Sequence, residues 1–357
     1  MKTAIIGLPQ VGKTSLFTIL TGAHEAGRIG SMATRIGVAK VPDARLAALA
    51  ELFHPPSVVQ AVVEYVDTPA ISKEALRDPA FLASLRVVDA FAHVLRIFDD
   101  PAVPHEAGSL DPLRDVDNLE LELMLSDLMV IEKRLERVDK DRKKMKAPEL
   151  DHEFEVLTRA KALLEANQPL REMELSEDDE KRIRGFQFLS QKPVLYVLNL
   201  GEADAPRLHE IEGEYAGGAL GGRKRTAVAA VCGKIEAELA ELEGEEAREY
   251  LASYGLKESG LERLIAATYS LLGLMSFLTA GEDECRAWTI PIGSNAVKAA
   301  GAIHTDFEKR FIRAEVINWK ALIDHDGYGG ARDKGLLRLE GKEYVVRDGD
   351  VLVIRHG

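Results

Sequence analysis

The sequence predicts an α/β protein whose main part is a parallel sheet covered by helices. Short runs rich in β-branched residues end in polar residues and alternate with helical patterns. A glycine-free stretch at 115–167 interrupts this alternation, and strand patterns dominate after about residue 280. We therefore expect a helix-covered sheet, an inserted helical hairpin and a small β-rich domain.

The first part begins with an apolar run at 2–6, which is too short for a helix and predicts a buried strand. The helix that follows is predicted at 13–21 and ends near Gly22. Further buried strands are predicted at 62–67, within 87–97, at 193–199 and at 226–232. Helices between such strands provide the crossovers that a parallel sheet needs.

The stretch 115–167 predicts a long helical hairpin inserted between two strands of the sheet. Apolar residues recur there at spacings of three and four, as on one buried helix face. They are Leu121, Met124, Leu125, Leu128, Ile131 and Leu135. Pro148 separates the two helical patterns, and the expected hairpin tip, 133–146, holds eight basic and three acidic residues.

The C-terminal part predicts a small mixed domain with one main helix, at 294–309. The strands of this domain are expected at 286–292, 311–319, 343–347 and 351–355. Asp348 and Gly349 stand at a hairpin-like turn position before the last strand.

Composition favours a soluble cytoplasmic protein that makes no membrane contact. The net charge of −13, from 46 basic and 59 acidic residues, argues against a protein that coats nucleic acid over its whole surface. A local basic patch remains compatible with that charge. Cys232 and Cys285 lie far apart and form neither a disulfide framework nor a zinc-ligand spacing. The sequence has no signal-peptide pattern and no run of 18 apolar residues.

A stretch after the first strand, from Gly7 to Thr14, matches the phosphate-loop pattern G-x-x-x-x-G-K-[ST]. Gly7 and Gly12 permit backbone angles and a close approach that a Cβ atom would block. The backbone N–H groups of 10–15 would converge on phosphate oxygens at a helix N-terminus. A chance glycine turn is the alternative, and the strand–loop–helix context disfavours it. The predicted nucleotide-binding residues here are Gln10, Val11, Gly12, Lys13, Thr14 and Ser15.

Two side chains of this loop carry the predicted chemistry. Lys13 is placed to reach the β- and γ-phosphates and is the catalytic candidate, and the Thr14 hydroxyl is a candidate Mg²⁺ ligand. A phosphate loop also needs a carboxylate for the metal on a neighbouring strand, and Asp67 ends the strand VVEYVD. The alternative for Asp67 is a carboxylate that caps the next turn.

Residues that contact the purine base are expected where later strands end. Asn199, Leu200 and Glu202 close one such strand: Asn199 would brace the phosphate loop and touch the purine, and Leu200 would pack on it. Cys232 and Gly233 end the next strand and would border the base through backbone atoms. The alternative is a polar loop that binds no ligand.

These motifs resemble the YchF/Obg-like ATPase family of translation-factor-related P-loop GTPases over most of the chain. "GLPQVGKTSLF" is similar to the family's phosphate loop, and "GVAKVPDARLAALAELF" to its strand after switch I. "NLGEAD" is similar to its fourth motif, in which Glu replaces the Asp that recognises guanine. "FLTAGEDECRAWTIPIGSNAVKAAGAIHTDFEKRFIRAEVI" and "LRLEGKEYVVRDGDVLVIRHG" are similar to its TGS domain, a ubiquitin-like β-grasp module.

The resemblance implies a P-loop NTPase parallel sheet, an inserted hairpin or coiled coil, and a C-terminal β-grasp (TGS) domain. The implied boundaries are 1–112 with 180–279 for the nucleotide-binding domain, 113–179 for the hairpin and 280–357 for TGS. It also implies Mg²⁺-dependent hydrolysis of ATP, often in preference to GTP. The implied partner is the ribosome, as the large subunit or the 70S particle, with ribosomal RNA contacted by the hairpin tip and TGS. We expect a monomer.

The sequence departs from the family in its switch motifs. The third motif, usually D-x-x-G, ends here in Pro69 and Ala70, which restrict the backbone. The family itself lacks the catalytic glutamine after this motif and has an apolar residue there, and Ile71 stands in the corresponding place. Switch I is short, and Thr34 is the candidate for its Mg²⁺-binding threonine, with an ordinary loop residue as the alternative.

Two functions therefore stay open from the sequence. The first is a ribosome-associated NTPase that hydrolyses ATP, or GTP, slowly and is stimulated by a partner. The second is a catalytically weak adaptor that binds nucleotide structurally and docks on the ribosome through hairpin and TGS. Glu202 weakens the case for GTP specificity without proving ATP.

Overall fold

The protein is described here from a computed structural model, which covers residues 1–22, 35–71, 75, 78–105, 108–145 and 147–357. The strands are β1 Lys2–Ile6, β2 Arg35–Lys40, β3 Ser57–Val59, β4 Val62–Asp67, β5 Ala90–Arg96, β6 Val194–Asn199, β7 Thr226–Val231, β8 Leu274–Ala280, β9 Glu284–Pro291, β10 Phe311–Asn318, β11 Arg338–Glu340 and β12 Asp350–His356. The helices are α1 Lys13–Thr21, α2 Ala44–Phe53, α3 Pro79–Arg86, α4 Pro112–Lys144, α5 Pro148–Glu165, α6 Glu177–Ile183, α7 Leu208–Gly217, α8 Gly233–Leu239, α9 Gly244–Ser253, α10 Gly260–Leu271, α11 Ala296–Ile303, α12 Thr305–Lys309, α13 Trp319–Asp324 and α14 Tyr328–Asp333.

The first sheet has six strands in the order β2-β4-β1-β5-β6-β7. The pairs β1–β4, β1–β5, β5–β6 and β6–β7 are all parallel. Consequently the carboxyl ends of these strands meet at one edge, where β1 leads into the phosphate loop. The prediction of a parallel sheet is confirmed.

The core of this sheet is made by apolar strand residues that are buried on both faces. Every residue of β5 and of β6 is buried, which explains why these segments are continuous apolar runs rather than alternating ones. Phe91, Tyr196 and Leu198 are completely buried there, with Leu85 of α3 packed in the same cluster. Each large apolar side chain buried in this way contributes about 2 kcal/mol to folding.

The predicted helical hairpin is confirmed as α4 and α5, with Pro148 at the first turn of α5, where a missing N–H costs nothing. Ile131 of α4 packs with Val156 and Leu157 of α5 in a separate buried cluster. The base of the hairpin is anchored by the buried Asp127, whose carboxylate accepts hydrogen bonds from the backbone N–H of Leu189 at 3.0 Å and of Ser190 at 2.7 Å. The hairpin is thereby fastened to the chain that enters β6.

The second sheet has the order β11-β10-β12-β8-β9-β3. β8 and β9 form an antiparallel hairpin, β12 lies parallel to β8, and β10 is antiparallel to β12. α11 packs on this sheet through Ala296, Ala299 and Ala300. This arrangement is a β-grasp, as predicted for the C-terminal domain, with β3 added at its edge through parallel pairing to β9.

Two sequence predictions in this region were wrong. The strand expected at 343–347 is a turn with one isolated bridge, from Val345 to Asn295, because Asp350 accepts hydrogen bonds from Arg347 N and the Tyr344 hydroxyl. The single helix expected at 294–309 is divided into α11 and α12 by His304, whose backbone is extended and whose ring Nδ1 accepts the N–H of Asp306.

The chain divides into two compact units. One contains Met1–Gly37 and Glu64–Ala267, and the other contains Val38–Val63 and Thr268–Gly357. The second unit thus includes a segment that the sequence analysis assigned to the nucleotide-binding domain. Among the described residues, no helix combines the length and the apolar character needed to span a membrane.

Candidate nucleotide-binding site

The loop between β1 and α1 has glycine at two positions where the backbone φ is strongly positive. Gly7 has φ 147° and Gly12 has φ 97°, and Gln10 between them also has a positive φ of 60°. A Cβ atom on Gly7 would lie 2.7 Å from the carbonyl oxygen of Val94, and one on Gly12 would lie 2.5 Å from Asn199 Nδ2. Both positions therefore require glycine, because of the backbone φ and because a Cβ atom has no room. This favours a loop whose backbone N–H groups bind a ligand.

Asn199 joins the two ends of the predicted site. Its Nδ2 donates to the carbonyl oxygen of Val11 at 2.9 Å, and its Oδ1 accepts the N–H of Gly233 at 3.1 Å. The side chain, 9 % exposed, thereby connects the phosphate loop to the turn after β7. The expected bracing role follows from these two bonds, whereas the contact of Asn199 with a purine stays a prediction.

Lys13 and His93 are buried basic residues beside the loop. Lys13 is 6 % exposed and its ammonium donates to the carbonyl oxygen of Leu8 at 2.6 Å. His93 of β5 is 2 % exposed, and burial together with the positive charge of Lys13 lowers its pKa to about 3. Its Nε2 has no hydrogen-bond partner among the described residues. The imidazole is therefore neutral at physiological pH.

Thr14 and Asp67 form the candidate metal position. The Thr14 hydroxyl donates to Asp67 Oδ2 at 3.3 Å, and Arg35 Nη2 donates to the same oxygen at 2.5 Å. Asp67 is 8 % exposed, and its Oδ1 is buried without a hydrogen-bond partner in the described part of the chain. A buried carboxylate oxygen beside a hydroxyl suits Mg²⁺, which prefers oxygen ligands and is usually held by one or two carboxylates. These residues fit the metal; Thr34 lies outside the described residues.

The third motif is attached to β1 and to the phosphate loop. Thr68 donates through its hydroxyl to Ile5 O at 2.7 Å, and the Ile71 N–H donates to Gly7 O at 3.1 Å. The Ile71 side chain is 3 % exposed and packs in the core of the first unit. No proton-accepting side chain is thus supplied from this position.

The residues predicted for base binding differ in their exposure to solvent. Leu200 and Cys232 are buried in the core, 2 % and 1 % exposed, so a base contact would come from their backbone atoms. Burial raises the pKa of the Cys232 thiol. Glu202 is partly exposed and forms an ion pair with Lys234 at 2.5 Å. Arg35, His93 and the ion pair of Lys234 with Glu202 were missed in the sequence. Only His93 carried a local signal, as a histidine within an apolar strand.

Comparisons with known proteins assign the chain to a family. The family model described as "YchF-GTPase_C: Protein of unknown function (DUF933)" matches residues 274–357. A protein of Bacillus subtilis (strain 168) named "Ribosome-binding ATPase YchF" is 42 % identical over 367 residues, covering 99 % of each chain. The chain belongs to the YchF family.

Two further YchF proteins extend this result. The Escherichia coli O157:H7 protein of the same name is 38 % identical over 98 % of both chains. The solved structure of the Schizosaccharomyces pombe YchF GTPase superposes with a TM-score of 0.86 at 31 % identity, covering 99 % of this chain and 97 % of that one. The predicted P-loop GTPase-like fold with a helical insertion is thereby confirmed, and the chain is a member of a P-loop NTPase family.

Proposed function

We propose that this YchF protein binds ATP, or GTP, with Mg²⁺, hydrolyses it slowly and acts at the ribosome. The observation that carries the nucleotide part is the buried Asp67 carboxylate, bonded to the Thr14 hydroxyl next to a glycine-fixed phosphate loop. The ribosome part comes from relatives that are named ribosome-binding ATPases.

Each residue of the proposed site has a distinct task. The N–H groups of 10–15 bind phosphate oxygens at the start of α1, and Lys13 leaves the Leu8 carbonyl to bind the β- and γ-phosphates. Thr14 and Asp67 would hold the Mg²⁺, which supplies neutralising charge between the phosphates. Lys13 and the loop amides stabilise the charge that develops in the transition state.

Hydrolysis is expected to be slow because the protein offers no side-chain base at the usual place. Ile71 is apolar and packed in the core, and its N–H is engaged by Gly7 O. Pro69 and Ala70 further restrict the loop that would close on the terminal phosphate. A partner such as the 50S or 70S particle would supply the missing orientation of water.

Glu202 is proposed to set the choice of purine. A carboxylate at this place accepts hydrogen bonds from guanine, and Lys234 neutralises that carboxylate through a short ion pair. The pair lowers the capacity of Glu202 to accept from guanine, which favours ATP. The backbone of Leu200, Cys232 and Gly233 would border the base.

We propose that the hairpin tip, 133–146, and the β-grasp domain both contact ribosomal RNA. Arg134 pairs with Glu153 and Arg142 pairs with Asp151, so part of the tip charge is neutralised within the hairpin. Among the described residues of the tip, the exposed basic side chains that can contact phosphates include Lys133, Arg137, Lys140 and Lys144. We further propose that the protein is a monomer with the three domains whose boundaries were predicted above.

The second candidate function is an adaptor that binds nucleotide without turnover. The observation that favours it is the Ile71 N–H bond to Gly7, since it couples the third motif to the loop in one fixed arrangement. Phosphate release from ATP and GTP by purified protein, with and without 50S or 70S particles, separates the two functions. No release above that of a Lys13 variant would favour the adaptor.

Lys13→Ala tests the nucleotide site itself. We expect affinity for ATP with Mg²⁺, measured by calorimetry, to fall about a hundredfold or more, because a buried charge-assisted contact to phosphate is lost. Lys181→Ala, at an exposed lysine of α6, is the matched control and should bind as the unmodified protein does. Unchanged affinity in Lys13→Ala would refute the proposed site.

A further inference from the structure

Arg35 binds the carboxylate oxygen of Asp67 that faces the Thr14 hydroxyl, the second candidate metal ligand. Its Nη2 lies 2.5 Å from Asp67 Oδ2, closer than the Thr14 hydroxyl at 3.3 Å. The Arg35 side chain is 29 % exposed and the Asp67 side chain 9 % exposed, so the pair is partly shielded from water. A charge-assisted bond in such a place is stronger than an exposed surface pair.

The position of Arg35 is defined by contacts to α1 as well as by Asp67. Its guanidinium carbon lies 5.1 Å from the ring centre of Phe17, a cation–π distance. Two residues later, β2 passes so close to α1 that a Cβ atom on Gly37 would lie 2.6 Å from Thr21 Cγ2. The strand that carries Arg35 therefore packs against α1, and this packing positions the guanidinium next to Asp67.

We propose that Arg35 is an internal competitor of Mg²⁺ at Asp67 and sets the Mg²⁺ concentration at which nucleotide binds tightly. The inference rests on the proposed function. A guanidinium and a divalent cation repel each other at contact distance, and both are attracted to the charge of the same small carboxylate. Metal binding therefore requires Arg35 to release Asp67, and the free energy of that release weakens Mg²⁺ binding.

Arg35→Gln tests this competition, because glutamine keeps a hydrogen-bond donor and removes the charge. We would measure binding of a fluorescent ATP analogue in EDTA and across a Mg²⁺ titration. The half-saturating Mg²⁺ concentration is expected to fall about tenfold, as follows from loss of a charge-assisted bond. Affinity in EDTA should stay within about twofold. Arg35→Lys, which keeps the charge, should lie near the unmodified protein.

Arg207→Gln is the matched control, since Arg207 is an exposed arginine that pairs with Glu210 away from Asp67. Thermal unfolding without nucleotide verifies that each variant is folded. A Mg²⁺ midpoint that is unchanged or raised in Arg35→Gln would overturn the inference while leaving the proposed function intact. If the unmodified protein bound no nucleotide at any Mg²⁺ concentration, the proposed function would fail, and this inference with it.

Discussion

At the scale of residues, the site combines side chains that are distant in sequence but share one sheet edge. Asn199 connects Val11 to Gly233, and Asp67 meets Thr14 and Arg35. These contacts follow from parallel pairing, which brings the carboxyl ends of β1, β4 and β6 to the same edge. His93 lies in β5 next to the loop, since a Cβ atom on Gly7 would lie 3.7 Å from its Cδ2.

The buried neutral His93 predicts that the protein loses stability in mild acid. Its pKa is about 3 when folded and about 6.5 in an unfolded chain, so between these values the unfolded state binds more protons. The free energy of unfolding therefore falls as pH decreases from about 6.5, by up to about 1.4 kcal/mol per pH unit from this residue. Urea unfolding at pH 7 and pH 5 would measure it.

His93→Phe should reduce that pH dependence, because phenylalanine retains an aromatic ring beside Tyr196 and has no proton to bind. The control is His209→Gln, at an exposed histidine, which should leave the difference between pH 7 and pH 5 unchanged. Equal pH dependence in His93→Phe and in the unmodified protein would contradict the assignment of the effect to His93.

At the scale of elements, the sequence predicts those parts whose structure is decided locally. β1, α1 and β4 lie at the positions predicted from apolar runs, from a helical pattern and from the glycine that ends it. The errors arise from non-local contacts. The segment 343–347 has strand composition but turns through bonds to Asp350, and β3 is a three-residue strand whose partner, β9, is over 200 residues away.

The same limit applies to the site. Lys13 and Thr14 could be predicted because a motif specifies residue types at fixed spacing, and Asp67 because it ends a neighbouring strand. The pairing of Arg35 with Asp67 spans 32 residues and has no motif, and the Glu202–Lys234 pair likewise joins the segment after β6 to the first turn of α8. Leu200 was expected to pack on the base; its side chain is 2 % exposed and lies in the core, and its contact with a base stays a prediction.

The hairpin tip yields a prediction about ribosome association. Replacing Arg137, Lys140 and Lys144 together by Gln removes three exposed charges. The hydrogen bonds that Arg134 and Arg142 donate within the hairpin are kept. We expect weaker co-sedimentation with 70S particles and a shallower dependence on salt, because fewer counterions are released.

The matched control replaces three exposed basic residues elsewhere in the first unit, Arg207, Arg248 and Lys257, by Gln. It changes the net charge equally but leaves the hairpin intact. Equal loss of co-sedimentation in both triple variants would show an effect of overall charge and would contradict a role for the tip.

At the scale of the whole molecule, the proposed functions are divided between the two compact units. The residues of the nucleotide site all belong to the first unit, as does the hairpin, whereas the β-grasp sheet belongs to the second. The net charge of −13 opposes general attraction to RNA. Association with the ribosome therefore has to rely on local basic surface, such as the hairpin tip, and on shape.

Our central proposal is that the backbone N–H groups of the loop bind a triphosphate whose Mg²⁺ is held by Thr14 and Asp67. The most direct measurement is a crystal structure of the protein with Mg²⁺ and a non-hydrolysable ATP analogue. We expect phosphate oxygens at the N–H groups of 10–15, Lys13 on the β- and γ-phosphates, and Arg35 displaced from Asp67. An analogue bound elsewhere, or a triphosphate whose metal is out of reach of both Thr14 and Asp67, would contradict it.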